Sequence, residues 1–317
     1  MTTRPRQAAA AALVCGVAAA GCGFGAGPSS EGTATLTVTR DYGSDTLVDG
    51  TQDDPPSSET VIRFLDREAE ITTRYGGGFV QSIDGLTGTE SDGRRYDRFF
   101  YVNGVESAVG SADVHVQGGD RIWWDYRDWT DAMRVPAVVG SWPEPFAQAS
   151  TEADHPPVRV ECLAGGAACE LAADRLDDAG VQATVDSGEQ RSAAGTPRLL
   201  VGPWRRVGGE PAVDELRGGP KANGVFATFK GPIDGAYHLV ALDSTATPIR
   251  DLGPDAGLVA ALDDGEAPTW IVTGSAGSGV RRAAGSLDAA ALRNRYAVAA
   301  PAGAPPVALP LQQGGAE

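Results

Sequence analysis

The segment Gly118–Trp129, GGDRIWWDYRDW, places Trp123, Trp124, Tyr126 and Trp129 within seven residues of a chain that is only 7% aromatic. Successive side chains of a strand leave on opposite faces, so Trp124 and Tyr126 share one face while Trp123 shares the other with Asp125. An unpaired carboxylate is costly to bury, so one face at most is expected to be core. The reading assigns Trp124 and Tyr126 to that core. Trp123 and Trp129, with Tyr101 and Phe79 as neighbours, are expected to form an exposed ligand-binding platform. Packing of that face against a second domain is the alternative.

The length of the chain suits two domains, and its patterning changes midway. Trp123, Trp124, Trp129 and Trp142 precede residue 150, and only Trp204 and Trp270 follow it. The Pro-rich polar stretch Pro143–Pro157 marks the join. Before it, Thr33–Gly43 alternates apolar and polar residues as a half-buried strand does, and a short strand follows near Thr46–Val48. After Pro55 and Pro56, Ser57 or Ser58 can cap a helix carrying Val61, Phe64 and Leu65 at helical spacing. Strands are expected at Glu70–Tyr75, Phe79–Asp84, Arg98–Val102, Asp113–Val116 and Arg121–Tyr126, and Asn103-Gly104 signals a tight turn. Two strands, a helix and further strands is the order of a β-grasp-like domain. Beyond the join, strand and helix signals alternate, with helices at Ala167–Ala179, Ala212–Arg217, Asp255–Leu262 and Gly277–Leu287. The expected fold class is therefore α+β / α/β, a β-grasp-like N-terminal domain followed by a layered α/β domain with a mixed sheet. The boundaries read 33–146, a linker 147–157, 158–300, and a disordered Pro/Gly-rich tail 301–317.

The first residues bear on where such a chain works. Arg4 and Arg6, an apolar run from Ala8 to Ala20 and small residues before Cys22 have the form of a secretory signal peptide, residues 1–21. The run is shorter than the roughly 20 residues needed to span a bilayer. Ala19-Ala20-Gly21-Cys22 resembles a bacterial lipobox, which makes Cys22 the lipidation site and 22–32 a flexible tether; simple secretion is the alternative. The expected location is the outer face of the cytoplasmic membrane. In an exported chain, Cys162 and Cys169 are read as a disulfide, with two buried thiols as the alternative.

Formal charge is −16, and loss of residues 1–21 would remove two arginines and no acid. Nucleic acid is therefore not an expected partner, since phosphate neutralisation needs clustered bases. Three histidines, at 115, 155 and 238, lack ligand spacing to the cysteines, so no metal site is expected. No G-x-S-x-G elbow occurs, and no carboxylate pair stands out, so no catalytic residues are assigned and an enzyme is not expected. Gly274, Gly277 and Gly279 lie between a strand and a helix start but lack the Lys-Ser/Thr of a phosphate loop; a tight turn is favoured over an anion contact. Asp41, Asp45, Asp49 and Asp53 lack the alternate spacing of a calcium loop and read as solvated.

YGGGFVQSIDGL (Tyr75–Leu86), RFFYVNGVESAVGSADVHVQGGDRIWWDY (Arg98–Tyr126) and the ETVIRFL helix together resemble the C-terminal domain of transcobalamin and intrinsic factor, as found in bacterial secreted proteins. The resemblance covers about residues 33–146. In the animal proteins that small domain closes over cobalamin against a larger helical barrel, and related bacterial domains accompany energy-coupling-factor vitamin transporters. It implies a cell-surface lipoprotein that binds a cobalamin-like or other small molecule as accessory to such a transporter, with no resident cofactor of its own. The alternative is a non-catalytic adaptor that docks on a membrane complex or cell-wall polymer through its aromatic face.

Overall fold

The computed structural model describes residues 29–151, 157–163, 166–186, 192, 195–263, 265 and 267–312. Cys22 and the signal segment lie outside them. Residues 29–32, expected to be free tether, are held to the body: the Ser30 amide donates to the Pro55 carbonyl at 2.9 Å.

The first half runs β1 (Thr33–Arg40), β2 (Asp45–Asp53), α1 (Val61–Glu68), β3 (Ile71–Arg74), β4 (Phe79–Ile83), β5 (Leu86–Thr87), β6 (Thr89–Ser91), β7 (Arg94–Val102), β8 (Val105–Glu106), β9 (Arg121–Asp128) and α2 (Phe146–Thr151). Its main sheet has the order β2-β1-β9-β7-β6, with β8 beside β7, and β3-β4-β5 form a small separate sheet. The central pair β1 and β9 is parallel, and β2 and β7 flank it antiparallel. Val61, Phe64 and Leu65 of α1 are buried as their spacing requires, packed on Leu36, Val38, Ile122 and Trp124. Thr60, not Ser57 or Ser58, is the N-cap, without a side-chain cap bond. Asp113–Val116 is not a strand; it contributes one bridge, Thr60 to His115.

The second half runs β10 (Val158–Cys162), α3 (Ala167–Asp178), β11 (Ala183–Asp186), β12 (Arg198–Pro203), α4 (Trp204–Val207), a 3-10 helix (Pro211–Gly218), α5 (Pro220–Asn223), β13 (Ala227–Ile233), β14 (Ala236–Leu242), β15 (Pro248–Gly253), β16 (Gly257–Asp263), β17 (Pro268–Gly274), α6 (Gly277–Gly285), α7 (Ala289–Leu292), β18 (Ala297–Ala300) and β19 (Val307–Leu309). A seven-stranded sheet, β11-β10-β12-β17-β16-β18-β19, is parallel through β17 and antiparallel beyond it, and β13-β14-β15 form a third sheet. The molecule is thus mixed α+β with several sheets and few helices.

Two expectations fail here. Asp255–Leu262 is not a helix; Gly257–Asp263 is strand β16, and its Leu258–Leu262 run is buried throughout. A short, wholly apolar run is compatible with a helix or with a strand covered on both faces, and neighbours on both edges make it the latter. The tail is not disordered through 301–312: β19 pairs with β18, and Leu309 is buried.

Packing explains Gly274 and Gly279 but not Gly277, where a Cβ would meet nothing within 4 Å. A Cβ on Gly279 would stand 2.4 Å from the Ala256 carbonyl, and one on Gly274 2.7 Å from the Gly279 backbone. Cys162 and Cys169 are joined, linking the end of β10 to the first turn of α3.

The halves share a core. Tyr42, Tyr101, Trp123, Val135 and Val138 of the first pack with Leu200, Phe226, Leu258, Ile271 and Tyr296 of the second in one buried cluster. The face of β9 opposite α1 is therefore covered, not exposed. Trp142 and Phe146, just after the first sheet, pack on Trp270 inside the second half.

Candidate functional site

The structure divides the four platform residues. Trp123 and Tyr101 are 2% and 0% exposed, which corrects the expectation of an exposed pair. The Trp123 ring lies 5.4 Å from Tyr101 and 5.2 Å from Tyr296, and its Nε1 donates to Thr39 Oγ1 at 2.8 Å. The cause is Asp125, whose carboxylate was read as a mark of solvent. It is fully buried and accepts from Thr39 Oγ1 (2.5 Å), the Tyr42 and Gly43 amides (3.1 Å each) and the Tyr296 hydroxyl (2.9 Å). Four donors replace the water a buried carboxylate loses.

Arg127, on the same face and also fully buried, donates to the carbonyls of Ala132 (2.5 Å) and Met133 (3.1 Å) and stacks at 4.0 Å over Phe99. Burial pushes the Asp125 carboxyl up to about 6, with the donors and Arg127 pulling the other way. The phenols of Tyr42, Tyr101 and Tyr296 are also pushed up, mainly by burial. Apart from Arg127 Nε, which is buried without a partner, the polar groups of this junction named above have internal partners, and they join the two halves.

Phe79 and Trp129, by contrast, come together with residues the sequence did not single out. They line a groove of about 580 Å³ whose walls include Arg74, Tyr75, Tyr96, Asp97 and Arg98. The β3–β4 hairpin builds one wall. Its turn passes through Tyr75, Gly76 and Gly77 at φ of 54°, 75° and 98°, a left-handed run that glycine enters freely and tyrosine does not. The turn lifts Tyr75 to 86% exposure, edge-on to the 48% exposed Phe79 at 6.2 Å. Residues in such backbone are held there at a cost, and they concentrate at functional sites.

β7 and the end of β9 supply the other wall. The Trp129 amide donates to the Arg95 carbonyl at 2.8 Å, the Arg95 guanidinium lies 3.8 Å from the Trp129 ring centre, and Tyr96 stacks on Tyr126 at 6.2 Å. Arg98 ties the walls together. Its side chain, 4% exposed, donates to the carbonyls of Val80 (3.3 Å), Gln81 (2.7 Å) and Leu86 (2.6 Å). Burial lowers its pKa, with Asp97 opposing.

Tyr126 is half-buried beside this groove, whereas Trp124 is 4% exposed and stacks on Phe100 at 4.7 Å, as a core residue should. Tyr75 had a readable signal, an aromatic followed by three glycines. Arg95 and Tyr96 had none, because β7 starts earlier than its hydrophobic pattern does.

Among the described residues no three His, Cys, Asp or Glu side chains gather as a metal site requires. Asp45 meets Arg40, Asp49 meets Arg293 at 2.8 Å, and Asp53 accepts from Thr33, so the spaced aspartates have separate partners. Nor is any helix of the described residues long and apolar enough to cross a membrane.

Residues 58–128 match the family described as a domain of unknown function, DUF4430. That span holds all of the groove but Trp129. Among solved structures the chain is similar to one from Ruminococcus gnavus ATCC 29149 described as a "putative metal binding protein", at 15% identity and a TM-score of 0.24, covering 31% of this chain and 98% of that one. None of the curated proteins matches.

Proposed function

We propose that this protein is a cell-surface, lipid-anchored binding protein that captures a small molecule in the Phe79–Trp129 groove. The carrying observation is the groove itself: about 580 Å³, with Tyr75, Phe79, Tyr96 and Trp129 among its walls. Ligand sites of this kind combine aromatic contact area with a few fixed polar groups. Large aromatics kept at the surface contribute to contact rather than to folding. The sheet order of the first half, with parallel central strands β1 and β9 and α1 across them, supports the β-grasp-like reading. The likeness to the transcobalamin C-terminal domain makes a cobalamin-like cofactor the first ligand to try, and an energy-coupling-factor transporter the first partner.

The test is a fluorescence titration of the chain from residue 23 onward with cobalamin and cobinamide, then other vitamins, beside Phe79→Ala and Trp129→Ala. Binding that both variants weaken supports the groove. Binding that neither changes places the ligand elsewhere and ends the proposal. For the anchor, Cys22→Ser is expected to release the protein from membrane fractions, and unchanged partition would remove that part of the reading. The exposure of Tyr75 favours a second reading, an adaptor that docks through this aromatic wall. Pull-down of a membrane complex lost with Tyr75→Ala, without any small-molecule binding, would select it.

A further inference from the structure

We infer that the groove takes a ligand combining a planar π face with an anionic group, a carboxylate or a phosphate. This rests on the reading of the groove as a binding site. The chain carries −16, and several arginines elsewhere in the first half meet carboxylates, Arg40 with Asp45 (2.9 Å), Arg67 with Glu59 (2.9 Å), and Arg94 with Asp128 and Asp131, while Arg63 and Arg127 meet carbonyls. Arg74 and Arg95 are different. Both line the groove, and among the described residues neither guanidinium has an ion pair or hydrogen bond. Arg98 is spent on three carbonyls and Asp97 on Arg98, which leaves Glu90 as the acid of the lining opposite Arg95 across the β6–β7 ladder.

The balance of the lining is therefore positive inside an acidic molecule. Such an island draws an anion locally while the rest of the surface repels one. Stacking on Trp129 holds the plane of the Arg95 guanidinium and leaves its N–H edge free. That fork fits two carboxylate or phosphate oxygens. The anion then sits next to the Trp129, Phe79 and Tyr75 rings, which offer faces to a planar group. Two guanidiniums suit a single anionic group; a polyanion would need a longer basic track.

The test uses the whole chain from residue 23 and three probes that share one ring system and differ in charge: 1-pyrenebutyrate, 1-pyrenebutanol and 1-pyrenebutylamine. Affinities are read by fluorescence and calorimetry. The butyrate is expected to bind about tenfold tighter than the butylamine, the range of a well-aligned but exposed guanidinium–carboxylate pair. The preference should shrink toward high salt. Arg74→Gln with Arg95→Gln should abolish it while leaving the butanol affinity within about twofold; both residues are exposed, so the variant is expected to fold. Equal affinity for the three probes, or a preference that survives the double variant, overturns the inference of an anionic ligand. If Phe79→Ala leaves all three affinities unchanged, the probes bind elsewhere and the groove reading itself fails.

Discussion

Truncating Trp123 tests whether the two halves share a core. Its ring is 2% exposed and sits in a slot left by two glycines: a Cβ on Gly140 would stand 2.7 Å from Cζ3, and one on Gly43 3.1 Å from Cζ2. Emptying a site of this size costs about 3–5 kcal/mol. Loss of the Nε1–Thr39 hydrogen bond adds about 1 kcal/mol. Trp123→Ala is thus expected to lower the unfolding free energy by about 4–6 kcal/mol.

Trp124 provides the internal control. It is 4% exposed on the opposite face, but its buried Nε1 has no partner among the described residues. Truncation there loses the packing but also removes a desolvated donor that costs about 1–3 kcal/mol, so Trp124→Ala should cost about 2 kcal/mol. Urea unfolding followed by far-ultraviolet circular dichroism measures both without depending on the deleted fluorophore. A Trp123→Ala loss under about 1 kcal/mol would show an exposed or loosely covered ring and refute the shared core.

Three further outcomes are expected. Arg98→Ala leaves three carbonyls without their donor, and should both weaken probe binding in the groove and cost about 2–4 kcal/mol in the same urea melts. Cys162→Ser with Cys169→Ser opens a short loop and should lower stability by about 2.5 kcal/mol on the chain-entropy account, with two alkylatable thiols absent from the unreduced native chain. Asp125 titrates near 6 in the folded chain against an ordinary 3.8, so between these values the folded state keeps a proton that the unfolded state has lost. Its contribution to stability falls as pH rises from about 4 to about 6, on the order of 3 kcal/mol, and is flat above. Between about pH 4 and 6 the slope of unfolding free energy against pH should therefore be more positive in Asp125→Asn than in the unmodified chain; identical slopes would mean that Asp125 does not carry the effect.

Local pattern and tertiary context divide what could be read in advance. Val61, Phe64 and Leu65 announced α1 because a helix displays its buried stripe in the sequence at fixed spacing. Asn103 and Gly104 announced a turn because φ of 54° and 82° is a demand few residues meet. The disulfide was legible from two cysteines in an exported-type chain. By contrast, β16 and β19 are strands because of what lies beside them: Gly257–Leu262 carries no period, and Val307–Leu309 finds β18 only once the second sheet exists. Of the groove lining, Phe79 and Trp129 were expected from the sequence, on an aromatic platform with Trp123 and Tyr101 that the structure divides. Their partners Arg95 and Arg98 were not, since arginines next to a strand look alike whether they face water, a ring or three carbonyls.

The side chains of β9 alternate as expected, but the Trp123 face follows the alternative reading, packing against the second half, rather than the exposed platform. Asp125 and Arg127 follow Trp123 at alternate positions, and a charged stripe on one face of a strand ordinarily means solvent. Here the donors come from far along the chain: Thr39 and Tyr42 from the start of the first half and Tyr296 from the end of the second. A carboxylate satisfied by groups 82 to 171 residues away cannot be distinguished locally from one satisfied by water. The same covering that buries Trp123 takes away its place on an exposed platform. The aromatics that line the open groove are instead Tyr75 and Phe79 of the β3–β4 hairpin, Tyr96 of β7, and Trp129 just beyond the end of β9.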